Sequence, residues 1–222
     1  MDAIETIKKR KCIRGFLKKP VPKEEIVKLL NIARWAPSSH NMQPWEIAVV
    51  TGKTLEKLKN ALLNALKNRE HRHFDYDYAA KDLPKRLKTN CDTCNQIVFD
   101  YRKIDPKNWS ELAPHLEENL RFFDAPAELV VMIEKGIGEG ALIDIGAFTQ
   151  SLYLAALDLG LGTCPQVSVS QYANITHSVL NIPENKLILF GIALGYPDES
   201  AFLNKMPRMP RIDVNQFTTF LE

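Results

Sequence analysis

The stretch from Ala36 to Trp45 concentrates side chains that can form hydrogen bonds with a ligand. Two serines, an asparagine and a glutamine lie between Pro37 and Pro44, and each proline stiffens its end of the loop because it fixes its own φ angle. Short polar side chains lose little rotamer entropy when they become ordered, so such a loop suits a planar heteroaromatic ligand with many acceptor atoms. The alternative interpretation is an ordinary surface connection between a helix and a strand.

A second polar stretch, Lys8–Arg14, places five cations in seven positions. If the chain is extended there, Arg10, Cys12 and Arg14 share one side, while Lys11 and Ile13 point the other way. Two guanidinium groups on one side can hold a phosphate through paired hydrogen bonds, which lysine does less well. A solvated charged face is the alternative, and this stretch alone does not decide between the two.

Cysteine is the third residue type that could do chemistry. Cys91 and Cys94 form a lone Cys-x-x-Cys pair, with His71 and His73 upstream. Such a set can bind zinc or act as a redox dithiol, but the sequence has neither a second Cys-x-x-Cys nor a strand-to-helix turn beside it. We therefore expect two free thiols and no metal site.

Motifs for phosphate binding by a glycine-rich loop are absent from the sequence. Neither a Walker loop nor Gly-x-Gly-x-x-Gly occurs, so side chains must bind any nucleotide phosphate. The five histidines have no surrounding motif of a catalytic triad, and we do not expect nucleophilic catalysis.

The composition limits the classes of partner. The 222-residue chain has a net charge of +2, with 45% hydrophobic and 25% charged residues, as in an ordinary globular protein. This charge does not favour nucleic acid or an anionic membrane. The longest apolar runs, such as Ala127–Ile133 and Leu187–Leu194, are too short to span a bilayer. The first residues do not read as a signal peptide, so we expect a cytoplasmic protein.

Helices and strands must position these residues. Apolar spacing predicts helices at Asp2–Arg10, Pro22–Trp35, Leu55–Leu66, Leu112–Phe123, Ala141–Leu159 and Gln171–Leu180, and extended segments at Trp45–Val50, Ala127–Ile133, Leu161–Ser170 and Lys186–Leu194. The helix Ala141–Leu159 is apolar around most of its circumference, which predicts a place at the centre of the core or at a subunit interface.

Two segments depart from this pattern. From about residue 67 to 110 the helical periodicity fails and aromatic and charged residues accumulate, which predicts a lid or binding insert, or a surface segment of little order. The tail after residue 201 has Pro207 and Pro210 ahead of apolar residues that need a surface to cover. We expect this tail to reach another subunit.

Four blocks of sequence, in order along the chain, resemble the FMN-dependent nitroreductase family. They are Arg10–Phe16 (RKCIRGF), Ala33–Trp45 (ARWAPSSHNMQPW), Gly160–Pro165 (GLGTCP) and Phe190–Pro197 (FGIALGYP). The resemblance covers the chain nearly end to end. Arg121–Pro126 and Thr163–Gln166 are most similar to the nitrobenzoate-reductase-like branch of that family.

The resemblance implies one α+β domain over residues 1–222, with a central, mostly antiparallel sheet flanked by helices. It implies an intertwined homodimer with exchanged C-terminal arms. It also implies an oxidoreductase in which NADH or NADPH transfers hydride to N5 of FMN, and a nitroaromatic or quinone-like acceptor takes the electrons. The cofactor carries that chemistry, so no catalytic side chain is implied, and the insert at 67–110 would select the acceptor.

Several residues match cofactor-binding positions of the family. Arg10 and Arg14 would hold the phosphate and ribityl oxygens, beside Cys12, which stands where many relatives have the better hydrogen-bond donor serine. Arg208 and Arg211 would complete the clamp from the tail, although their spacing differs from the family pattern. The remaining positions are Pro37, Ser38, Ser39, Asn41 and Gln43, expected from the partner chain, and Pro165, Gln166 and Val167, expected along one face of the isoalloxazine ring.

Other functions fit the same residues. One is a different flavin reaction on the same fold, such as ene reduction or dehalogenation. Another is a flavin-binding sensor or storage protein with slow turnover. Flavin binding and flavin catalysis use the same side chains, so the sequence leaves these alternatives open.

Overall fold

The centre of the fold is a sheet of four strands. The computed structural model describes residues 2–78 and 82–221, and the strands within them are β1 (Glu46–Thr51), β2 (Ala127–Glu134), β3 (Gly162–Gln166) and β4 (Lys186–Gly195). Their order across the sheet is β1-β2-β4-β3, and each neighbouring pair is antiparallel. The predicted central antiparallel sheet is confirmed.

Helices cover both faces of this sheet. In chain order they are α1 (Ala3–Lys9), α2 (Lys23–Ala33), α3 (Gly52–Lys67), α4 (Lys85–Arg102), α5 (Trp109–Leu120), α6 (Gly140–Asp158) and α7 (Ala173–Leu180). Residues of α2 and α6 pack on one face, and residues of α3, α5 and α7 pack on the other. This arrangement confirms the predicted α+β class.

The strand β2 contributes to both cores. Leu129, Val131 and Ile133 alternate with Val130 and Met132, so successive side chains point to opposite faces of the sheet. The first three pack with α2 and α6, and the other two pack with α3, α5 and α7. Because helices cover both faces, every residue of β2 except the last is buried.

The apolar helix α6 lies in the core, as predicted. By length and composition it is the one helix of the described residues that could cross a membrane, and half of that stretch is buried inside the fold. It packs against α2 and β3. Its first turns are less covered, because Leu142 and Ile143 are exposed.

The segment from 67 to 110 differs from the prediction. The 18-residue helix α4 occupies its second half, so the failure of helical periodicity was a wrong indication there. None of the residues of α4 is buried, and a helix without a buried face has no apolar stripe to reveal it. Residues 79–81 of the predicted insert lie outside the described residues, as do residues 1 and 222 of the predicted domain.

Candidate functional site

The extended segment Arg10–Arg14 lies against strand β3. The backbone N–H of Ile13 donates to the carbonyl oxygen of Thr163 at 2.9 Å, and the Ile13 side chain is buried. Gly162 permits this close approach, because a Cβ atom there would lie 2.8 Å from Ile13 Cγ1. The side chain of Ile13 therefore points into the core. The side chains of Arg10 and Arg14, at the two ends of the segment, do not follow it and line a cavity instead.

These arginines line a small cavity together with arginines of the tail. Its volume is about 100 Å³. Arg208 Nη2 donates to the carbonyl oxygen of Arg10 at 2.8 Å and ties the tail to the segment. Within residues 2–78 and 82–221 no carboxylate lines this cavity, so its electrostatic potential favours an anion. We name it the clamp cavity; its polar walls are Arg10, Lys11, Cys12, Arg14, Cys94, Asn204, Arg208 and Arg211.

Lys11 does not follow the expected alternation, because it also lines the clamp cavity. Its Nζ donates to the backbone oxygen of Asn204 at 2.6 Å. The side chain of Asn204 in turn accepts from the backbone N–H of Arg14 at 2.7 Å and donates to the carbonyl oxygen of Gly15 at 2.8 Å. One tail residue thus holds the arginine segment at three points.

The tail up to Arg211 therefore packs on its own chain. The guanidinium of Arg211 donates to the carbonyl oxygens of Met209 and Pro210, so Arg208 is the tail arginine that contacts the segment. Apart from Phe202, which stacks on Tyr101, the exposed large apolar residues of the tail come after Arg211, and they are Val214, Phe217, Phe220 and Leu221. Only this last part is free of the clamp and able to reach another subunit.

A wider cavity shares Arg14 with the clamp cavity. Its volume is about 730 Å³. Pro165, Gln166 and Val167 form part of its wall where β3 ends. Tyr76 and Tyr78 line it from the insert. A site for a phosphate-sized anion thus borders a site wide enough for a planar ring system.

Gln166 presents an unpaired acceptor near this wide cavity. The side chain is buried, and its Nε2 donates to Ser168 Oγ at 2.6 Å and to the carbonyl oxygen of Asn119. Its Oε1 is buried without a hydrogen-bond partner among the described residues. A buried unpaired oxygen is costly, so this wall suits a ligand that brings an N–H donor.

Charge and burial act on two further groups near the arginines. A hydrogen bond from Cys164 and the charges of Arg14 and Arg10 lower the pKa of Cys12 to about 5, against the opposing effect of burial. Burial and the charge of Arg102 lower the pKa of His115. Cys12 is therefore a thiolate and His115 a neutral imidazole at neutral pH.

The polar loop at Pro37–Gln43 lies away from both cavities of its own chain. His40, Asn41 and Gln43 have φ angles of 49°, 56° and 51°, a conformation that residues other than glycine rarely adopt. Hydrogen bonds hold it: Gln43 N–H donates to Ser38 Oγ at 3.0 Å, and Ser39 N–H donates to Asp144 Oδ1 of α6 at 3.1 Å. The fold therefore fixes the loop but does not bring its Pro37, Ser38, Ser39, Asn41 and Gln43 to the arginines of the same chain.

Comparison with known proteins identifies the family. The model of the nitroreductase family matches residues 7–196 of the chain. The protein belongs to the nitroreductase family. The four blocks of sequence that suggested it all begin inside the matched region, and the clamp arginines of the tail lie beyond its end.

Relatives extend this match over the whole nitroreductase chain. A chloronitrobenzene nitroreductase of Comamonas testosteroni is 32% identical over 98% of this chain and 96% of its own. A 4-nitrobenzoate reductase of Pseudomonas putida is 32% identical over 99% of this chain and 95% of its own. The crystal structure of the FMN-dependent nitroreductase NfnB from Mycobacterium smegmatis in complex with NADPH has a TM-score of 0.93, at 29% identity over 99% of this chain and 98% of that one.

The Cys-x-x-Cys pair of this nitroreductase lies on α4. Cys91 and Cys94 are exposed and free, and in the part of the chain that is described no three histidine, cysteine or acidic side chains converge on a possible metal position. His73 instead joins the chain to Tyr172 in an isolated bridge. Cys94 also lines the clamp cavity.

Several walls of the wide cavity had no signal in the sequence. His115 and Asn119 come from α5, and Arg72 comes from the insert. Tyr76 is fixed in place, because its hydroxyl donates to the carbonyl oxygen of Leu189 at 2.7 Å. The aromatic richness of the insert pointed to a binding role in general, but no spacing or motif marks these individual residues.

Proposed function

We propose that this protein is an FMN-dependent reductase that uses NADH or NADPH to reduce nitroaromatic or quinone-like acceptors. The observation that carries this proposal is the position of Arg14, which lines both the cationic clamp cavity and the wide cavity. FMN has a phosphate at one end and a planar ring system at the other, and two cavities of these kinds that share Arg14 as a wall suit it. Relatives named nitrobenzoate and chloronitrobenzene reductases support the class of acceptor.

Side chains of this protein would hold FMN in definite roles. Arg10 and Arg14 would neutralise the phosphate, with Arg208 as a third cation, because charge-assisted hydrogen bonds from guanidinium groups suit phosphate oxygens. The unpaired Gln166 Oε1 would accept from an N–H group of the ring system. When bound, FMN supplies the chemistry that accepts hydride and passes electrons on, and the protein orients the reactants and excludes water.

Tyr76, Tyr78 and Arg72 would border the place of the acceptor. The two tyrosines stand edge to face, with ring centroids 6.2 Å apart, and such rings offer apolar walls to an aromatic molecule. Arg72 adds a cation on the same cavity. An acceptor with an aromatic ring and a negative substituent fits this combination.

We further propose that the enzyme is a homodimer, in which the loop Pro37–Gln43 of one chain completes the site of the other. Helix α6 and the elements that contact it carry exposed apolar side chains. Exposed apolar side chains on elements that pack together favour association with another protein surface. These side chains are Ile4, Ile7, Ile32, Trp35, Met42, Leu142 and Ile143.

Anaerobic stopped-flow mixing tests the proposed function. The purified protein, saturated with FMN, should lose its oxidised-flavin absorbance within a second of mixing with NADH or NADPH, and regain it on addition of 4-nitrobenzoate or a quinone. Bound FMN that stays oxidised for minutes would instead favour the sensor or storage alternative. Reoxidation by an enone or a halogenated phenol, but not by a nitroaromatic, would favour the other flavin reactions. Failure to bind FMN at all would overturn the proposal.

A further inference from the structure

Cys12 and Cys164 are neighbours on two adjacent extended segments. The backbone N–H of Ile13 donates to the carbonyl oxygen of Thr163. Cys12 comes directly before Ile13 and Cys164 directly after Thr163, so each cysteine is next to the residue that makes this hydrogen bond. Cys164 belongs to a buried core cluster against which Cys12 packs, and the two thiols are close enough for each to shift the pKa of the other. Cys164 is buried, with 1% of its surface exposed, whereas Cys12 is half-buried and lines the clamp cavity. One thiol of the pair can therefore meet a small solute, and the other is shielded.

The charges around this pair activate the outer thiol. Arg10 Nη1 lies 4.0 Å from Cys12 Sγ, and Arg14, Arg208 and Arg211 line the same cavity. A thiolate is the reactive form of cysteine, and neighbouring cations stabilise it.

The inner thiol has the opposite environment. From α6, Tyr153 faces both thiols, and burial raises the pKa of its hydroxyl, which keeps it neutral. The hydrogen bond to Cys12 and burial raise the pKa of Cys164, and the nearby carboxyl of Glu128 adds to this. Cys164 is consequently a protonated thiol next to a thiolate.

We propose that Cys12 and Cys164 form a peroxide-sensitive thiol pair in the wall of the clamp cavity. The Cys12 thiolate attacks one oxygen of hydrogen peroxide, so that an S–O bond forms, the O–O bond breaks and hydroxide leaves. Cys164 then loses its proton to that hydroxide, which becomes water, and attacks Cys12 Sγ, so that the S–S bond forms, the S–O bond breaks and a second hydroxide leaves. The two sulfurs lose two electrons in total, and one peroxide becomes one water molecule and one hydroxide, which takes a proton from the solvent.

This chemistry needs only peroxide and does not depend on the proposed function. One consequence does rest on that function: a phosphate bound in the clamp cavity covers Cys12 and protects it. The disulfide would then form only in protein that has lost its FMN, because peroxide reaches the Cys12 thiolate only when no phosphate is bound in the clamp cavity. Cys94 lines the same cavity and is the competing partner that an experiment must exclude.

Peptide mapping of the full-length protein tests the proposal. The reduced protein is treated with a small excess of hydrogen peroxide, its remaining thiols are alkylated, and the digest is analysed by mass spectrometry without reduction. We expect a peptide that links Cys12 to Cys164 to form first, with Cys91 and Cys94 alkylated. The matched control is the double variant Cys91→Ser/Cys94→Ser, which should form the same link at the same rate.

Single variants separate the two steps. Cys164→Ala, or Cys164→Ser if the first folds poorly, should stop the reaction at a sulfenic acid on Cys12 that dimedone traps. Cys12→Ser should leave Cys164 reduced. A link from Cys12 to Cys94, a faster link between Cys91 and Cys94, or a stable Cys12 sulfenic acid in the unmodified protein would each overturn the pair.

Two further measurements complete the test. The rate of Cys12 alkylation should stay nearly constant between pH of about 6 and 8, whereas an ordinary thiol gains about tenfold per pH unit there; a tenfold gain for Cys12 would overturn the activated thiolate. Saturating FMN should slow the formation of the link at least several-fold. If the link forms equally with and without FMN, and fluorescence shows that FMN does not bind, the proposed function fails while the thiol pair stands.

Discussion

At the scale of single residues, the clamp cavity collects cations from two distant parts of the chain. Arg10 and Arg14 come from the segment after α1, and Arg208 comes from the tail, where it bonds to the backbone of Arg10. Each guanidinium that loses its phosphate contact removes a charge-assisted hydrogen bond from the proposed complex. Substitution of these individual side chains therefore tests directly how much each contributes to cofactor affinity.

Replacing Arg10 or Arg14 with alanine should weaken FMN binding by about 1–3 kcal/mol each, because each change removes a charge-assisted contact. Fluorescence titration of FMN measures the effect. Arg34→Ala, on the exposed end of α2, is the matched control and should bind FMN as the unmodified protein does. Undiminished FMN binding by the double variant would contradict the clamp.

Glu128 is an acidic residue within the apolar strand β2. It is fully buried on β2, and neither carboxylate oxygen has a hydrogen-bond partner among the described residues. Gly191 leaves room for it, because a Cβ atom there would lie within 1.9 Å of Glu128 Oε1. Burial raises the pKa of this carboxyl well above its ordinary value of 4.5, although the charge of Lys59 acts against the shift.

This raised pKa predicts how stability depends on pH. The contribution of Glu128 is fully present below pH 4.5 and is lost as pH rises towards its pKa in the folded protein, because only the unfolded chain ionises in that window. Glu128→Gln removes this dependence, so the stability of the variant relative to the unmodified protein should rise by about 1.4 kcal/mol per pH unit across the window.

Urea unfolding at several pH values measures this slope. The exposed Glu184→Gln is the control, and its stability should follow that of the unmodified protein. Burying the amide of Glu128→Gln lowers the free energy of unfolding by the same amount at every pH. The test is therefore how the difference in this free energy between the two proteins changes with pH, and not its size at one pH. Parallel curves for Glu128→Gln and the unmodified protein would disprove the raised pKa.

At the scale of elements, the arginine segment depends on its contact with β3. Gly162 brings the two extended segments together over the side chain of Ile13, and Asn204 holds the segment from the tail side. These contacts fix the backbone of the segment that carries Arg10 and Arg14, so a bound phosphate does not have to order the two arginines by itself. The position of the segment is therefore set before a phosphate binds, which lowers the entropy cost of binding.

Gly162→Ala should move this segment. The new methyl group would lie 2.8 Å from Ile13 Cγ1, and overpacking of this kind costs about 1–3 kcal/mol. We expect a lower unfolding midpoint together with weaker FMN binding by fluorescence titration. Gly140→Ala is the matched control, because its Cβ atom would meet nothing within 4 Å. Equal FMN binding by both variants would show that the contact does not position the arginines.

At the scale of the whole molecule, the loop Pro37–Gln43 is fixed by α6 but separated from the arginines of its own chain. Backbone strain at His40, Asn41 and Gln43 is maintained by hydrogen bonds that the loop N–H groups of Gln43 and Ser39 donate to Ser38 and Asp144. Strained backbone of this sort is often found at functional sites. If the loop serves the partner's flavin, the active site exists only in the dimer.

Complementation between two inactive variants tests this arrangement. One variant carries Arg10→Ala/Arg14→Ala, and the other carries Ser39→Ala/Asn41→Ala. After denaturation and refolding together, a symmetric dimer with shared sites would regain about a quarter of the normal sites, because half the dimers are mixed and each holds one intact site. Bound FMN and NADPH oxidation measure the recovery. If the mixture regains neither FMN binding nor NADPH oxidation although both variants fold, the loop does not serve the partner's site: it either serves the site of its own chain or has no part in FMN binding.

The sequence by itself determined the elements that have a local pattern. The apolar run of β2 and the apolar faces of α2 and α3 are visible over short stretches of sequence, because burial of an element dictates which residue types it carries and at what spacing. The arginine pair and the family blocks were also recognisable, since they are contiguous. The exposed helix α4 was missed because no face of it is buried.

Only the tertiary structure decided which distant residues meet. Arg208 bonds to Arg10, although nearly the whole sequence separates the two residues. His115 and Tyr76 line one cavity although they belong to separate elements. Cys164 lies close to Cys12. No local spacing encodes these contacts, because they result from the packing of helices on both faces of one sheet. The same packing buries Glu128 without a hydrogen-bond partner in the described part of the chain, an outcome that its sequence neighbours, all suited to a buried strand, do not reveal.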